Sequence, residues 1–113
     1  MREFRVQVVA GVPCAVFEGE DEEAWVRAAF LSEATSFLED LDRTLDSASR
    51  AADQTASFQG NEVILDVRSG KAVITAQWIK DSSSKEYSII MPLTEAKELL
   101  SRWRVVLAEH RPA

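Results

Sequence analysis

The sequence predicts an α+β fold, with an antiparallel sheet of about four to six strands and two main amphipathic helices packed on one face of it. Apolar residues recur at spacings of three and four in two long segments, which is the period of a helix. Apolar and polar residues alternate in other segments, which is the period of a strand. The order of strands, helix, strands and helix favours antiparallel pairing with the helices on one face.

The first predicted element is an alternating segment near the N-terminus. Phe4, Val6 and Val8 alternate with more polar positions, and the pattern resumes at Cys14 after a Gly-Val-Pro interruption. This pattern predicts two short strands or one broken strand, with the turn in residues 10–13. Cys14 is expected to be a small core residue.

The first long helix is expected to begin at Ser32, whose hydroxyl could cap the first turn, and to end near Asp53. Its recurring apolar positions are Ala34, Leu38, Leu41, Leu45, Ala48 and Ala52. The preceding residues 22–31 are ambiguous. Acidic residues ahead of Ala-rich sequence favour a helix N-terminus, whereas alternation around Trp25 favours a strand, and both alternatives stay open.

The clearest predicted element is a hairpin over residues 61–81, with Ser69 and Gly70 as its loop residues. This register gives one apolar face with the cross-strand pairs Val67–Ala72, Leu65–Ile74 and Val63–Ala76. Trp78 continues that face. A third strand follows over residues 87–91, and Pro92 ends it because proline donates no ladder hydrogen bond.

The last predicted element is a helix that runs from an N-cap at Thr94 to His110. Its apolar face contains Ala96, Leu99, Leu100, Trp103, Val106, Leu107 and His110. Trp25, Trp78 and Trp103 are all expected to be core anchors, because large aromatic side chains gain most from burial.

Length and composition indicate a single domain over residues 1–113. With 46% hydrophobic residues, a chain of 113 residues can bury roughly two-thirds of its unfolded surface without disulfides or a structural metal. Its single cysteine forms no internal disulfide, which fits the reducing cytoplasm. No signal peptide is expected, and no apolar run approaches the 18 residues of a membrane-spanning helix.

The negative charge of the chain is concentrated in one segment. The net charge is −6, which disfavours nucleic acid as a partner because phosphates repel an acidic surface. Residues 18–53 contain eleven acidic and three basic residues, net −8, so the remaining eight acids and ten bases give net +2. The acidic segment is therefore the main candidate for a binding surface.

Five carboxylates occupy the six positions from Glu18 to Glu23. Their spacing lacks the alternation and the distal glutamate of a calcium loop, so no metal is expected. A solvated turn without a function and a surface for a basic partner both remain open. Further along, three helical carboxylates three and four residues apart form what we call the acidic ridge. The expected partner-binding residues are Glu20, Asp21, Glu22 and Glu23, with Glu39, Asp42 and Asp46 as the ridge.

No catalytic or cofactor-binding residue is expected, and the protein is predicted not to be an enzyme. A cysteine nucleophile needs a base beside it, whereas the single histidine, His110, lies at the end of the last helix. The serines at 82–84 have no nucleophile-elbow context. The Ser-Gly-Lys segment at 69–71 lacks the first glycine of a phosphate loop.

Residues 33–110 resemble small bacterial immunity proteins, in particular the WapI-type immunity proteins of polymorphic toxin systems. The likeness consists of an acid-rich helix with Phe37-Leu38, Leu41 and Leu45, followed by a hairpin, a further strand and a closing amphipathic helix. It lies in apolar core positions and transfers no functional residue. It implies a cytoplasmic protein that binds and neutralises a toxin domain, which is often basic.

Three functions follow as hypotheses. The first is an immunity protein that binds a basic toxin domain through its acidic surface. The second is a secretion-effector chaperone acting as a homodimer, so that the protein is either a monomer or a homodimer. The third is a small ligand-binding domain or enzyme, which would need a pocket around Tyr87, Asp66 and Cys14.

Overall fold

A computed structural model of the chain describes residues 3–19, 21–48, 54–80 and 82–110. Within these residues, the strands form a two-stranded sheet, β1-β2, and a four-stranded sheet in the order β3-β4-β5-β6, and every pairing is antiparallel. The predicted α+β class is therefore confirmed. The elements are β1 (Phe4–Val9), β2 (Val12–Phe17), α1 (Glu22–Ala48), β3 (Thr55–Gln59), β4 (Val63–Arg68), β5 (Lys71–Lys80), β6 (Glu86–Pro92) and α2 (Leu93–Glu109).

The N-terminal segment forms two strands joined by a tight turn. Ala10 and Gly11 have φ angles of 51° and 80°, and a two-residue hairpin turn of type I′ requires positive φ at both of these positions. Cys14 is exposed, so its predicted place in the core was wrong. It pairs with Gln7 on the outer face of the hairpin, whereas Phe17 on the inner face is buried.

Helix α1 includes the ambiguous residues 22–31. It begins after Asp21, whose Oδ1 accepts a hydrogen bond from the backbone N–H of Ala24 at 2.9 Å. Ser32 is therefore an interior helical residue, and its predicted capping role was wrong. Phe37, with φ −128° and ψ 36°, interrupts the helical geometry and kinks α1. The predicted helix end near Asp53 lies outside the described residues.

The predicted hairpin register between β4 and β5 is confirmed. Val67 pairs with Ala72, and Ser69 and Gly70 occupy the turn with φ angles of 53° and 73°. Strand β3, which the sequence analysis did not predict, adds an edge strand whose Phe58 pairs with Leu65.

A bulge in β5 explains why Trp78 is not buried. Ala76 and Lys80 are four positions apart on β5, whereas their partners on β6, Tyr87 and Glu86, are adjacent. The extra residues break the pleat beyond Ala76. Trp78 leaves the core face and is 78% exposed, so the prediction of its burial was wrong.

Both helices pack on one face of the four-stranded sheet and enclose the core. Helix α2 begins at Leu93, whose N–H donates to the carbonyl of Gly70 at 3.0 Å. Pro92 occupies the N-cap position and supplies no side-chain cap. Thr94 lies inside the helix, so its predicted capping role was wrong. Neither described helix is long and apolar enough to cross a membrane.

Trp103 is the central aromatic residue of the core, as predicted. It is fully buried, and its Nε1–H donates a hydrogen bond to Thr35 Oγ1 at 3.1 Å. Its ring packs edge-on against that of Phe4, with the ring centroids 5.9 Å apart. These contacts join both helices to the β1-β2 hairpin. Trp25 differs: it is 51% exposed, because residues 22–31 are helical and Trp25 points away from the buried face that includes Phe30.

A buried carboxylate ties α1 to the turn between β3 and β4. Glu33 is 2% exposed, and its Oε1 accepts hydrogen bonds from the backbone N–H groups of Glu62 at 2.7 Å and Val63 at 3.1 Å. Gly60 passes so close that a Cβ atom there would overlap the Glu33 carboxylate. The turn is therefore shaped around this side chain.

Candidate protein-binding surface

The five carboxylates between Glu18 and Glu23, which we call the acidic run, lead into the first turn of helix α1. Asp21 caps the helix, and Glu22 and Glu23 lie in its first turn, where negative charge stabilises the helix dipole. Glu23 also forms an ion pair with Arg27 at 3.9 Å. Glu20 lies outside the described residues. Asp21, Glu22 and Glu23 therefore stabilise the start of the helix.

The acidic ridge faces helix α2. Arg104 donates hydrogen bonds to Glu39 Oε1 at 2.9 Å and to Asp42 Oδ2 at 3.1 Å. Lys97 Nζ lies 3.1 Å from Asp46 Oδ1. The acidic ridge and the two cations of α2 therefore form a line of ion pairs between two antiparallel helices, which we call the seam.

The spacing of charged residues in the sequence is a signal for this seam, although it was not among the sequence predictions. Glu39 and Asp46 are seven residues apart, and so are Lys97 and Arg104. Seven residues are close to two helical turns, so each pair lies on one helix face. In two antiparallel helices, equal spacings bring both charge pairs together.

The seam is exposed and retains a negative balance. The side chains of Glu39, Asp42 and Asp46 are 71%, 37% and 56% accessible. Among the described residues, these three carboxylates and the two α2 cations that contact them have a summed formal charge of −1. Beside the ridge lies an open depression of about 470 Å³, lined by Glu39, Asp42, Arg43, Asp46, Ser47 and Gln54.

Arg104 stays charged within this seam. The hydrogen bond and the charge of Glu39, with smaller contributions from Asp42, raise the pKa of Arg104 above its usual value. A cation whose pKa is raised on folding stabilises the fold at every pH below its unfolded pKa, and the effect is lost only as the pH rises through the folded pKa. The Arg104 contribution is therefore fully present near neutral pH.

Replacing Arg104 with glutamine is expected to lower the free energy of unfolding by only about 0.5–1 kcal/mol, because exposed ion pairs are weak. Urea unfolding at neutral pH measures it, and about 1 M NaCl should shrink the difference. Arg43→Gln is a matched control, because Arg43 pairs with Asp40 of the same helix, at 3.4 Å. A loss above about 2 kcal/mol for Arg104→Gln would show that the seam is a main support of the fold.

The acidic run and the acidic ridge do not form one site. Glu22 and Glu39 are 17 residues apart on α1, which corresponds to about 25 Å along a helix axis. The kink at Phe37 lies between them. A partner that contacts the ridge therefore meets the helix start only if its surface is wide.

The residues considered for chemistry are dispersed. Asp66 lies on the outer face of β4, whereas Tyr87 on β6 packs against the core on the opposite face of the sheet. Cys14 belongs to the separate hairpin, and the Nδ1 atom of His110 contacts the carbonyl of Val106 at 2.8 Å. No group of three or more metal-ligating side chains occurs in the part of the chain that the structure describes.

Comparisons of the chain with protein-family models, with curated proteins and with solved structures find no match.

Proposed function

We propose that the protein is a non-enzymatic binding module of the immunity type, which binds and neutralises a basic toxin domain through the acidic ridge. The observation that carries this proposal is the exposed seam in which the carboxylates of Glu39, Asp42 and Asp46 are gathered on one side of α1, in contact with Arg104 and Lys97 of α2. Exposed ion pairs contribute less than about 1 kcal/mol each, so cations of a partner can replace Arg104 and Lys97 at small cost.

The overall charge supports the same partner chemistry. A net charge of −6 with most of the acidity in residues 18–53 gives the α1 side of the molecule a negative potential. Such a potential accelerates encounter with a basic surface and disfavours acidic partners. Both effects weaken as salt is added.

The test neutralises the ridge without removing its hydrogen-bond acceptors. The triple variant Glu39→Gln, Asp42→Asn, Asp46→Asn is titrated against the protein encoded by the neighbouring reading frame, the expected toxin. Affinity is expected to fall about tenfold, as three exposed ion pairs predict, and its salt dependence should decrease. Isothermal titration at about 50 and 300 mM NaCl measures both quantities.

A matched control removes three carboxylates elsewhere. Asp66→Asn, Glu86→Gln and Glu98→Gln change the net charge equally, but none of these residues belongs to the ridge. The control should retain nearly all of the affinity. Equal losses in the two triple variants would show that only net charge matters, and an unchanged affinity in the ridge variant would reject the ridge as the binding site.

A homodimeric secretion chaperone is the second candidate, and the β1-β2 hairpin favours it. Val8, Val9 and Val12 are 53%, 52% and 49% exposed. Apolar side chains gathered at a hairpin tip are typical of surfaces that bind another protein. Sedimentation equilibrium separates the candidates, because a stable homodimer supports the chaperone and a monomer supports one-to-one inhibition.

A further inference from the structure

An open cleft of about 690 Å³ lies where the β1-β2 turn approaches the α1 kink and the end of α2. We call it the tip cleft and define it by Val12, Pro13, Phe37, Leu38, Glu39 and Leu107, which are among its lining residues. Its volume falls within the usual range for binding clefts. It adjoins the acidic ridge, because Glu39 belongs to both.

The tip cleft offers apolar surface to a partner. Leu38 and Leu107 are partly buried against the core, and Val12 is 49% exposed at the lip. Val9, the cross-strand partner of Val12, extends the lip and is 52% exposed. A side chain that entered the cleft would cover part of these apolar groups, which favours binding by roughly 25 cal/mol per Å² covered.

Carboxylates stand at the rim of this apolar cleft. Glu39 and Asp40 line it, and Arg104 is the lining cation, held by Glu39 and Asp42. Asp40 also pairs with Arg43 at 3.4 Å, in an exposed ion pair that a partner cation can replace. The described lining residues therefore carry a formal charge of −1, with His110 neutral. An apolar group with adjacent positive charge complements this arrangement.

We infer that the tip cleft receives an apolar side chain of the partner protein, flanked by lysine or arginine residues that contact Glu39 and Asp40. This inference rests on the proposed function and names the recognition element of its partner. A second copy of the chain fits less well. The valines exposed on its own hairpin tip lie in residues 7–14, QVVAGVPC, which contain no cation.

The test uses three short blocked peptides and ¹⁵N-labelled protein. The peptides are Gly-Arg-Leu-Arg-Gly, Gly-Gln-Leu-Gln-Gly and Gly-Arg-Gly-Arg-Gly. The first should shift the backbone amide signals of Val12, Leu38 and Leu107 during an NMR titration. It should bind about fivefold more tightly than either of the others, the effect expected from one or two exposed ion pairs or one small apolar contact.

A variant of the lip provides the matched control. Val12→Ser should weaken binding of the first peptide about threefold, because it removes apolar contact surface. Val105→Ser should not, because Val105 is a similarly exposed valine, at 56%, that does not line the cleft. Both valines are exposed, so both variants should fold.

Three results would overturn the inference: equal shifts with all three peptides, shifts confined to residues outside the cleft, or no difference between the two valine variants. A homodimer whose formation broadens the same amide signals would also overturn it and assign the cleft to a second copy. The outcomes of the two tests can be distinguished although Glu39 belongs to both surfaces, because the peptide titration leaves the ridge unsubstituted and reports on the cleft, which Asp42 and Asp46 do not line. The ridge variant can therefore retain its affinity for the toxin, which rejects the ridge, while the peptide still binds the cleft. Equally, the peptide can fail to bind while the ridge variant loses affinity for the toxin.

Discussion

Replacing Glu33 with alanine is expected to lower the free energy of unfolding by about 3 kcal/mol, one of the largest effects of any single substitution in this chain. The substitution removes the acceptor of two hydrogen bonds, from the N–H groups of Glu62 and Val63. The Val63 N–H is buried, so water cannot replace the carboxylate there without opening the turn. Urea unfolding at pH 7, followed by circular dichroism, measures the change.

Two other substitutions at glutamates define the cause of this loss. Glu33→Gln retains an acceptor oxygen and should cost only about 1 kcal/mol. Glu98→Ala removes an exposed glutamate of α2 and should change stability by less than about 0.5 kcal/mol. If Glu33→Ala were as mild as Glu98→Ala, the carboxylate would not be holding the β3-β4 turn.

A double-mutant cycle tests the close approach of Gly60 to Glu33. Gly60→Ala alone should cost about 2 kcal/mol, because its Cβ would overlap the carboxylate. In a Glu33→Ala background the space is free, so the same substitution should cost about 1 kcal/mol less. Additive losses would mean that the two residues act independently.

Replacing Trp103 with alanine is expected to lower the free energy of unfolding by about 3–5 kcal/mol, because it empties the largest fully buried side-chain site. It also removes the hydrogen bond to Thr35 and the aromatic contact with Phe4. The β1-β2 hairpin and both helices share this contact, so all of them are destabilised together. The unfolding transition should therefore remain cooperative, with its midpoint at a lower urea concentration. Thermal and urea unfolding at neutral pH measure it.

Conservative variants separate the parts of the Trp103 effect. Trp103→Phe retains most of the apolar volume but lacks the indole N–H, and a cost of about 1–2 kcal/mol is expected. Trp78→Ala serves as the control, because Trp78 is 78% exposed, and it should change stability by about 0.5 kcal/mol or less. Similar losses at Trp78 and Trp103 would contradict the placement of these side chains.

The β4-β5 hairpin was predictable because two independent local signals agree. The Ser69-Gly70 pair gives the turn, and alternation in both strands gives the register, so a shift by one residue would expose every apolar side chain. Strand β3 has no such support. Within Thr55–Gln59 only Ala56 and Phe58 mark its inner face, and the pairing of this strand is determined by β4.

The mistaken tryptophan assignments have identifiable physical causes. The prediction for Trp78 assumed that side chains alternate regularly along the whole strand. The bulge after Ala76 interrupts this alternation before Trp78. For Trp25 the sequence pattern leaves helix and strand open, and the helix that forms directs this side chain outward. In each case the course of the backbone, and not the type of residue, determines exposure.

The candidate site was only partly visible in the sequence. The ridge residues were recognised from helical spacing, but their partners on α2 depend on how the two helices pack. Glu33 looks like any surface glutamate of an acid-rich helix, and only the fold brings the β3-β4 turn against it. The tip cleft combines three elements that are distant in sequence, so no local pattern indicates it.

The exposed position of Cys14 affects how the oligomeric state can be measured. It is the only cysteine of the chain, and it lies on the outer face of the hairpin, two residues from Val12. Air oxidation could therefore join two copies through a disulfide, and such a covalent dimer would imitate a chaperone in sedimentation. Once the protein is reduced and the reductant removed, the same thiol is a single attachment point for a fluorophore beside the tip cleft.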